Sequence, residues 1–261
     1  MFHVRDPHAL IQAAGYLKYV QSNAGESIYF RGQTTLYGSL VPSLFRGCRT
    51  QRGQSPRVAA LRQVLADVQA KCSIFSQFDT LGHEPLLQHY GYRTSWIDVV
   101  DNIWVALWFA CHTAKSFGPT GEFVHFEQRS TRSEPNGNAY VLLVATDAPS
   151  WNHARGVHVG SKTELVDLRS ACPSIFVRPH AQHGLLFRLR GTAQRPVDYG
   201  GQVYGVIRVS LADALSWLGG GQMLGTHSLF PPAYYDHGYQ ILLKAGLGGS
   251  KTIGAIQHVG A

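Results

Sequence analysis

The side chains best suited to chemistry stand in one block of the sequence, "LLQHYGYRTSWIDVVDNIWVALWFAC", residues 86–111. A histidine, His89, and a carboxylate, Asp98, are close together here, and an apolar run with helical spacing follows at once. Polar groups this dense beside a core element must be satisfied by one another, by helix caps or by a ligand. His89 and Asp98 are therefore candidates for catalysis, although a core histidine and a helix cap at Asp101 or Asn102 would also explain the pattern.

A second chemical feature is Arg31, which directly follows the apolar residues Ile28, Tyr29 and Phe30 in "IYFRGQ". Arginine is always charged and presents five donors in a rigid fork, so it needs an anionic or carbonyl partner. That partner is supplied either by the fold, through Asp98 or a main-chain carbonyl, or by a phosphate-bearing ligand.

The composition is that of a folded and basic protein. Of the 261 residues, 44% are hydrophobic and 15% are charged, which argues against an intrinsically disordered chain. Lys and Arg outnumber Asp and Glu by 23 to 16, and the net charge of +7 favours polyanions such as nucleic acid or nucleotide phosphates. The arginine-rich segment 46–62 is either a phosphate-binding loop or a solvated segment. Its arginines predicted to bind nucleic acid are Arg46, Arg49, Arg52 and Arg57.

Several kinds of site are disfavoured by the sequence. The four cysteines form no CxxC pair, which argues against a zinc ribbon or a redox motif. HExxH, GxSxG and GxxxxGKS motifs are absent as well, so zinc protease, serine hydrolase and P-loop chemistry have no support. No stretch reaches the roughly 20 apolar residues of a membrane span. We expect a soluble, cytoplasmic protein that uses no metal and has no membrane partner.

Hydrophobic periodicity predicts an α+β fold. Helices are predicted over 7–22, 56–78 and 102–115, and a strand over 27–33. Later extended runs predict strands in "EFVHF", "NAYVLLVAT", "SIFVR", "GLLFRLR" and "VYGVIRV". Short helices over 210–218 and 233–245 precede a glycine-rich segment, 246–261, that is predicted to be a loose tail. The pattern predicts one domain over residues 1–261, in which a helical first half packs on a strand-rich, mostly antiparallel second half.

Five segments resemble, in order, the landmarks of the FRG domain family, named after its Phe/Tyr-Arg-Gly motif. They are "YFRGQ", "LVPSLFR", "LLQHYGYRTSWIDVVDNIWVALWFA", "RPHAQHGLLF" and "SLFPPAYYDHGYQILL", and together they span residues 28 to 243. The chain departs from the family pattern at Ser95, where arginine is usual, and at Val99, where tryptophan is usual. The resemblance implies a toxin or a protein of prokaryotic antiviral defence, with an antitoxin or another defence protein as partner.

A fainter resemblance is to ADP-ribosyltransferases of the arginine, serine, glutamate type. "IYFRG" is similar to their first strand and "RTSWIDVVDNIWVALWFA" to their second element, whereas their Gln/Glu-x-Glu element is absent. The resemblance implies a transferase-like fold and NAD as the substrate. It implies Asp98 as the carboxylate near the ribose, with Glu164 as second candidate, and Gln182 as a partner of the ribose. The residues implied to bind NAD are Arg31, Gln33, Tyr90, Thr94 and Ser95, and Tyr90, Trp96 or Phe187 are candidates to stack on the nicotinamide.

These inferences predict an enzyme that consumes NAD and transfers ADP-ribose, with nucleic acid as the preferred acceptor. Two alternatives stay open from the residues alone. One is a metal-independent ribonuclease that uses His89 and Asp98 as acid and base, assisted by His180 or His183. The other is a sensor without catalytic activity that binds a nucleotide or a nucleic acid in the same pocket.

Overall fold

The computed structural model describes residues 1–48, 50–147, 152–191, 197–221 and 224–260. The strands in this part of the chain are β1 (Phe2–His3), β2 (Ser27–Gln33), β3 (Ile97–Val100), β4 (His112–Phe117), β5 (Phe123–Gln128), β6 (Asn138–Thr146), β7 (Asn152–Ala154), β8 (Val157–Val159), β9 (Thr163–Asp167), β10 (Gly184–Leu189), β11 (Val203–Ser210) and β12 (His258–Gly260). The α-helices are α1 (Pro7–Asn23), α2 (Gln51–Lys71), α3 (His83–His89), α4 (Ile103–Cys111), α5 (Leu168–Ala171), α6 (Val177–Ala181), α7 (Leu211–Trp217), α8 (Thr226–Leu229) and α9 (His237–Lys244).

Two sheets organise these elements. The large sheet has nine strands in the order β1-β11-β6-β2-β3-β10-β9-β8-β7, and the small sheet has the order β12-β5-β4. In the described part of the chain, β1 with β11 and β12 with β5 are the parallel pairs, and the other pairs are antiparallel. The predicted α+β class and the mostly antiparallel pairing are confirmed.

The centre of the large sheet is built from both halves of the chain. Strand β6 is apolar along almost its whole length because both of its faces are buried. Leu142 and Val144 belong to the core cluster that contains α2 and α3, and Val141 and Leu143 belong to the cluster that contains α1 and α4. Strand β2 from the first half pairs with β6, and β3 lies on the other side of β2, so the helical and strand-rich halves interleave within one sheet.

Local signals placed some elements well and others poorly. The predicted strands 27–33 and 138–146 have the observed bounds. The helix predicted over 7–22 extends one residue further in the structure, to Asn23. The helix predicted over 56–78 starts at Gln51, where Thr50 accepts a hydrogen bond from the Gly53 N–H, and it ends at Lys71 before a 3-10 segment, Ser73–Gln77. Pro56 therefore lies inside the helix and does not mark its first turn.

Two predicted elements were wrong in type or extent. The helix predicted over 102–115 begins after the Asn102 cap but ends at Cys111, because His112–Phe117 leave the helix to pair with β5. The predicted strand "SIFVR" is instead a turn at Ser174 and Ile175, followed by the cap residue Phe176 and the first two residues of α6, Val177–Ala181. Pro179 explains the second error, since proline fits the first turn of a helix but cannot donate to a ladder of strands.

The C-terminal segment that was predicted to be loose packs on the rest of the chain. Ile253 and Ile256 are buried, and β12 pairs with β5. The Arg93 N–H donates to the Ile253 carbonyl, and the Gln257 N–H donates to the Tyr90 carbonyl. The glycines in this segment permit the turns that bring its few apolar side chains back onto the core.

Gly32, in the Arg-Gly pair of β2, is fixed by the closeness of α4. A Cβ atom at Gly32 would lie 1.8 Å from the Ala106 carbonyl oxygen and 2.8 Å from the Ala110 nitrogen, both of which are main-chain atoms of α4. The helix therefore crosses β2 at a distance that only glycine permits. This contact sets the position of α4 beside Arg31.

We predict that Gly32→Ala destabilises the protein by about 2 kcal/mol or more, because main chain must move to accept the methyl group. The matched control is Gly15→Ala in α1, where the new Cβ would meet no atom within 4 Å. That change should raise the free energy of unfolding by about 0.5–1 kcal/mol, because alanine favours helix. Denaturant unfolding of both variants measures the difference. An unchanged stability for Gly32→Ala would show that α4 does not approach β2 this closely.

Candidate functional site

A cleft opens where β2 and β3 separate. Among the described residues, β2 and β3 pair at one position, Phe30 opposite Val100. Beyond that position β2 continues along β6 through Gln33, and β3 pairs with β10. Arg31 and Asp98 lie on the two sides of this opening, and the cleft has a volume of about 860 Å³. Cavities of this size accept small molecules and cofactors.

Arg31 spans the opening between the two strands. Its Nη1 donates a 2.6 Å hydrogen bond to the main-chain carbonyl of Asp98 and lies 3.9 Å from the Asp98 carboxylate. Its Nε is buried and has no partner in the described part of the chain. Burial lowers the pKa of the Arg31 guanidinium, and the Asp98 carboxylate opposes that shift. The fold therefore supplies part of the partner set that Arg31 needs and leaves donor capacity beside the cleft.

Asp98 presents a partly solvated carboxylate to the cleft. Its side chain is 44% exposed, whereas that of Arg31 is 18% exposed. Gln88 donates from Nε2 to Asp98 Oδ2 and accepts a hydrogen bond from the Thr94 hydroxyl. The Thr94 side chain in turn accepts from the Trp96 N–H. This chain of hydrogen bonds fixes the carboxylate while leaving it open to a ligand.

His89 is close to Asp98 and lines the cleft, but its ring nitrogens are sealed from solvent. Its Nε2 lies 3.8 Å from Asp98 Oδ1, and its side chain is only 3% exposed. Both ring nitrogens are buried without a partner in the described part of the chain. Burial lowers the pKa of His89 to about 4, so the ring is neutral near pH 7. A Cβ at Gly184 would lie 2.2 Å from the ring, which shows how tightly β10 covers it.

Two glutamines predicted for the site also line the cleft. Gln33 lies on β2 two residues beyond Arg31, and Gln182 follows α6. Gln182 is buried, and its Nε2 donates to the Leu229 carbonyl. The carbonyl oxygen of the Gln182 amide is therefore the group left to face a ligand.

Three residues predicted to bind NAD do not line the cleft. The Tyr90 ring is buried in a stack with Tyr239, and its hydroxyl donates to Asp236. Thr94 is fully buried in the hydrogen-bond chain that positions Asp98. Ser95 donates from its main-chain N–H and its hydroxyl to Glu84. These side chains lie behind the site and do not line the cleft. The other candidates for stacking, Trp96 and Phe187, are also buried.

The Tyr90 ring packs against the buried Arg178, whose structural role was not predicted from the sequence. The Arg178 guanidinium lies 4.6 Å from the Tyr90 ring centroid and 5.0 Å from that of Tyr239. Its Nη1 donates to the His89 carbonyl, and its main-chain N–H donates to Asp236. The segments "RPHAQHG" and "YYDHGYQ" are therefore joined to the "QHYG" turn by one buried cation and one buried carboxylate.

The aromatic surface of the cleft comes from residues that sequence reasoning missed. Phe109, Phe126 and Phe230 all line the cleft. The rings of Phe126 and Phe230 stack with centroids 4.6 Å apart, and Phe109 meets both nearly edge to face. Phe109 could have been found from the sequence, because it lies on the apolar helix after Asp98. Its partners Phe126 and Phe230 could not, because they come from distant parts of the chain.

The arginines predicted to bind nucleic acid differ in their surroundings: one lines the cleft, one bonds to its own loop and one is exposed on α2. Arg46 is exposed at the cleft and donates from Nε to the Val41 carbonyl. Arg57 donates from Nη1 to the carbonyls of Leu44 and Arg46, so it holds its own loop. Arg52 is exposed in the first turn of α2. Arg49 lies outside the described residues.

We predict that Arg31→Met destabilises the unliganded protein by about 1–3 kcal/mol, because the buried Asp98 carbonyl loses its donor. Arg31→Lys should cost less, since an ammonium group still donates to a carbonyl, although it cannot reproduce the fork. The matched control, Arg52→Met, removes an exposed arginine and should stay within about 0.5 kcal/mol of the wild type. Thermal and denaturant unfolding measure all three. Equal stability of Arg31→Met and the wild type would contradict the structural role of Arg31.

Comparison with known proteins identifies one family. Residues 26–118 match the model of the FRG domain. The match covers Arg31, His89 and Asp98 and ends before the segments around Arg178 and Asp236. No curated protein and no solved structure matches the chain. No helix in the described ranges combines the length and the apolar character needed to cross a membrane. The resemblance to the FRG domain family is thereby confirmed over residues 26–118 of this chain.

Proposed function

We propose that the cleft binds NAD and that the protein transfers ADP-ribose from NAD to an acceptor, in the role of a toxin or antiviral-defence effector. The observation that carries this proposal is the pair formed by Arg31 and Asp98 at the opening between β2 and β3. A guanidinium with a donor to spare lies 3.9 Å from a carboxylate that is 44% exposed. A cleft that offers both charges next to aromatic rings suits a ligand with phosphates, a ribose and flat heterocycles.

The phosphates of NAD are assigned to the arginine side of the cleft. Arg31 and Arg46 both line it, and a guanidinium fork matches phosphate oxygens in a bidentate way. Arg46 is exposed, and its Nε donates to the Val41 carbonyl, while its Nη groups make no hydrogen bond within the described part of the chain and are available to a phosphate. The pyrophosphate thereby offsets the positive charge that two arginines bring to the cleft.

The ribose is assigned to Asp98. Cleavage of the bond between C1′ and nicotinamide sends the bonding electron pair to the nicotinamide nitrogen and leaves positive charge on the ribose. A preorganised carboxylate stabilises that charge more in the transition state than in the ground state. The Gln88 and Thr94 hydrogen bonds hold Asp98 in place, so little reorganisation is needed. Gln182 offers an amide oxygen to a ribose hydroxyl in the same cleft.

The nicotinamide is assigned to the rings of Phe109, Phe126 and Phe230. These three rings line the cleft and provide faces and edges for a flat ring. The three candidates from the sequence, Tyr90, Trp96 and Phe187, are too deeply buried for this role.

The acceptor is assigned to nucleic acid. The net charge of +7, the exposed Arg46 at the cleft and the exposed Arg52 in α2 favour a polyanion. The bond to C1′ then forms from an oxygen or nitrogen of the acceptor, and the proton of that atom is released.

The ribonuclease alternative fits the geometry less well. Its catalytic pair would be His89 and Asp98, but the His89 ring is sealed and does not offer its nitrogens to a phosphodiester. With a pKa of about 4, His89 also cannot donate a proton as an acid near pH 7. The sensor alternative uses the same cleft without turnover, and the release of nicotinamide separates it from the transferase.

We predict that Asp98→Asn lowers the rate of nicotinamide release from NAD about 100-fold or more, because it removes the charge that stabilises the ribose cation. The matched control is Asp67→Asn, which removes one negative charge on the surface of α2 and should leave the rate unchanged. The assay supplies NAD labelled in the nicotinamide, with and without pooled DNA and RNA, and a second label on the adenylate traces the acceptor.

Binding of NAD without any release of nicotinamide would leave the sensor alternative and exclude the transferase. RNA cleavage at full rate in buffer without NAD would also exclude the transferase.

A further inference from the structure

The cleft contains a second histidine, His112, whose protonation pattern is fixed by the fold. His112 is the first residue of β4, directly after α4. Its Nδ1 lies 2.8 Å from the Trp108 carbonyl oxygen. A carbonyl oxygen can only accept, so Nδ1 carries the hydrogen and Nε2 of the neutral ring carries the lone pair. The tautomer of His112 therefore follows from one hydrogen bond to the main chain.

The orientation of the His112 ring is fixed as well. The ring stacks on the Trp108 indole at a centroid distance of 3.9 Å and an interplanar angle of 16°. Rotation about the side chain would break both the stack and the bond to the Trp108 carbonyl. A base that needs no reorientation is what proton transfer in a transition state requires.

His112 lines the cleft, and its Nε2 is the ring nitrogen that the main chain leaves unbonded in the described part of the chain. Its chain neighbours Phe109 and Thr113 line the cleft as well. Within the described ranges Nε2 makes no hydrogen bond. Unlike the two ring nitrogens of His89, it is not fully buried. Burial of the ring lowers the pKa of His112, and the bond to the Trp108 carbonyl opposes that shift. The lowered pKa keeps the lone pair available near pH 7.

We propose that Nε2 of His112 is the general base that takes the proton from the acceptor during ADP-ribosyl transfer. This assignment rests on the proposed function. As the bond between C1′ and nicotinamide breaks with its electron pair, the acceptor oxygen or nitrogen bonds to C1′. The proton of that acceptor atom moves to Nε2, which gives an imidazolium that later releases it to water. Charge and atoms balance, and no further reactant is needed.

His112 meets the requirements of a base that His89 fails. The nitrogens of His89 are both sealed, whereas one nitrogen of His112 is anchored and the other is left for the cleft. The site then has separate groups for the donor ribose, Asp98, and for the acceptor proton, His112.

The test uses His112→Asn, whose amide N–H can replace the Nδ1–H bond to the Trp108 carbonyl while no group replaces Nε2. Nicotinamide release is measured with NAD and pooled DNA and RNA oligonucleotides. We expect kcat to fall about 100-fold to 10,000-fold, with KM for NAD close to that of the wild type. His125→Asn, a change at an exposed histidine of β5, is the matched control and should keep the wild-type kcat.

A second variant, His112→Gly, guards against a purely structural effect. Free imidazole in the buffer should restore nicotinamide release by this variant and should not accelerate the wild type. An unchanged kcat for His112→Asn, or activity lost in His112→Gly that imidazole does not restore, would overturn the assignment of the base. A wild-type protein that releases no nicotinamide would overturn the proposed function together with this assignment, so the two failures are distinguishable.

Discussion

The cleft depends on the bond between the Arg31 guanidinium and the main-chain carbonyl of Asp98. Where β2 and β3 part, the carbonyl of Asp98 would lose a partner in the sheet, and an unpaired main-chain carbonyl is costly when buried. Arg31 satisfies it across the opening at 2.6 Å. This bond stabilises the place where the two strands separate. The result is a cavity with a guanidinium and a carboxylate at its edge.

The contacts around this bond explain why glycine follows Arg31 and why polar residues precede Asp98. Gly32 follows Arg31 because α4 leaves no room for a Cβ, and α4 carries Phe109 to the cleft. Behind Asp98, the side chains of Gln88 and Thr94 fix the carboxylate. The motif residues thus divide into those that face the cleft and those that hold them. The buried Arg178 and Asp236 then connect this unit to segments much later in the chain.

Much of the scaffold was predictable because it depends on local signals. The apolar patterns of β2 and β6 predicted the bounds of both strands, and Asn102, one of the two residues considered as a cap with Asp101, caps α4. Arg31, Asp98 and Gln182 were predicted as site residues and line the same cleft, although their roles stay predictions. The helix and strand bounds follow from short segments whose neighbours in sequence are also their neighbours in space.

The remainder depended on contacts between distant segments, which one sequence does not display. Tyr90 looked available for stacking until Arg178 and Tyr239 placed its ring in the core. His112 lay inside a predicted helix, and only its pairing with Gln128 of β5 moves it to the start of a strand at the cleft. Similarly, the burial of Ile256 in a glycine-rich segment depends on the "QHYG" turn that receives it.

Hydrogen exchange of the intact protein, followed by mass spectrometry with and without NAD, tests the central claim most directly. If NAD binds where β2 and β3 separate, main-chain amides in residues 28–34, 96–100 and 109–114 should exchange more slowly with the ligand present. Strands β7 and β8, at the far edge of the large sheet, should exchange equally in both conditions. Protection confined to that far edge, or none at saturating NAD, would contradict a nucleotide site held open by Arg31.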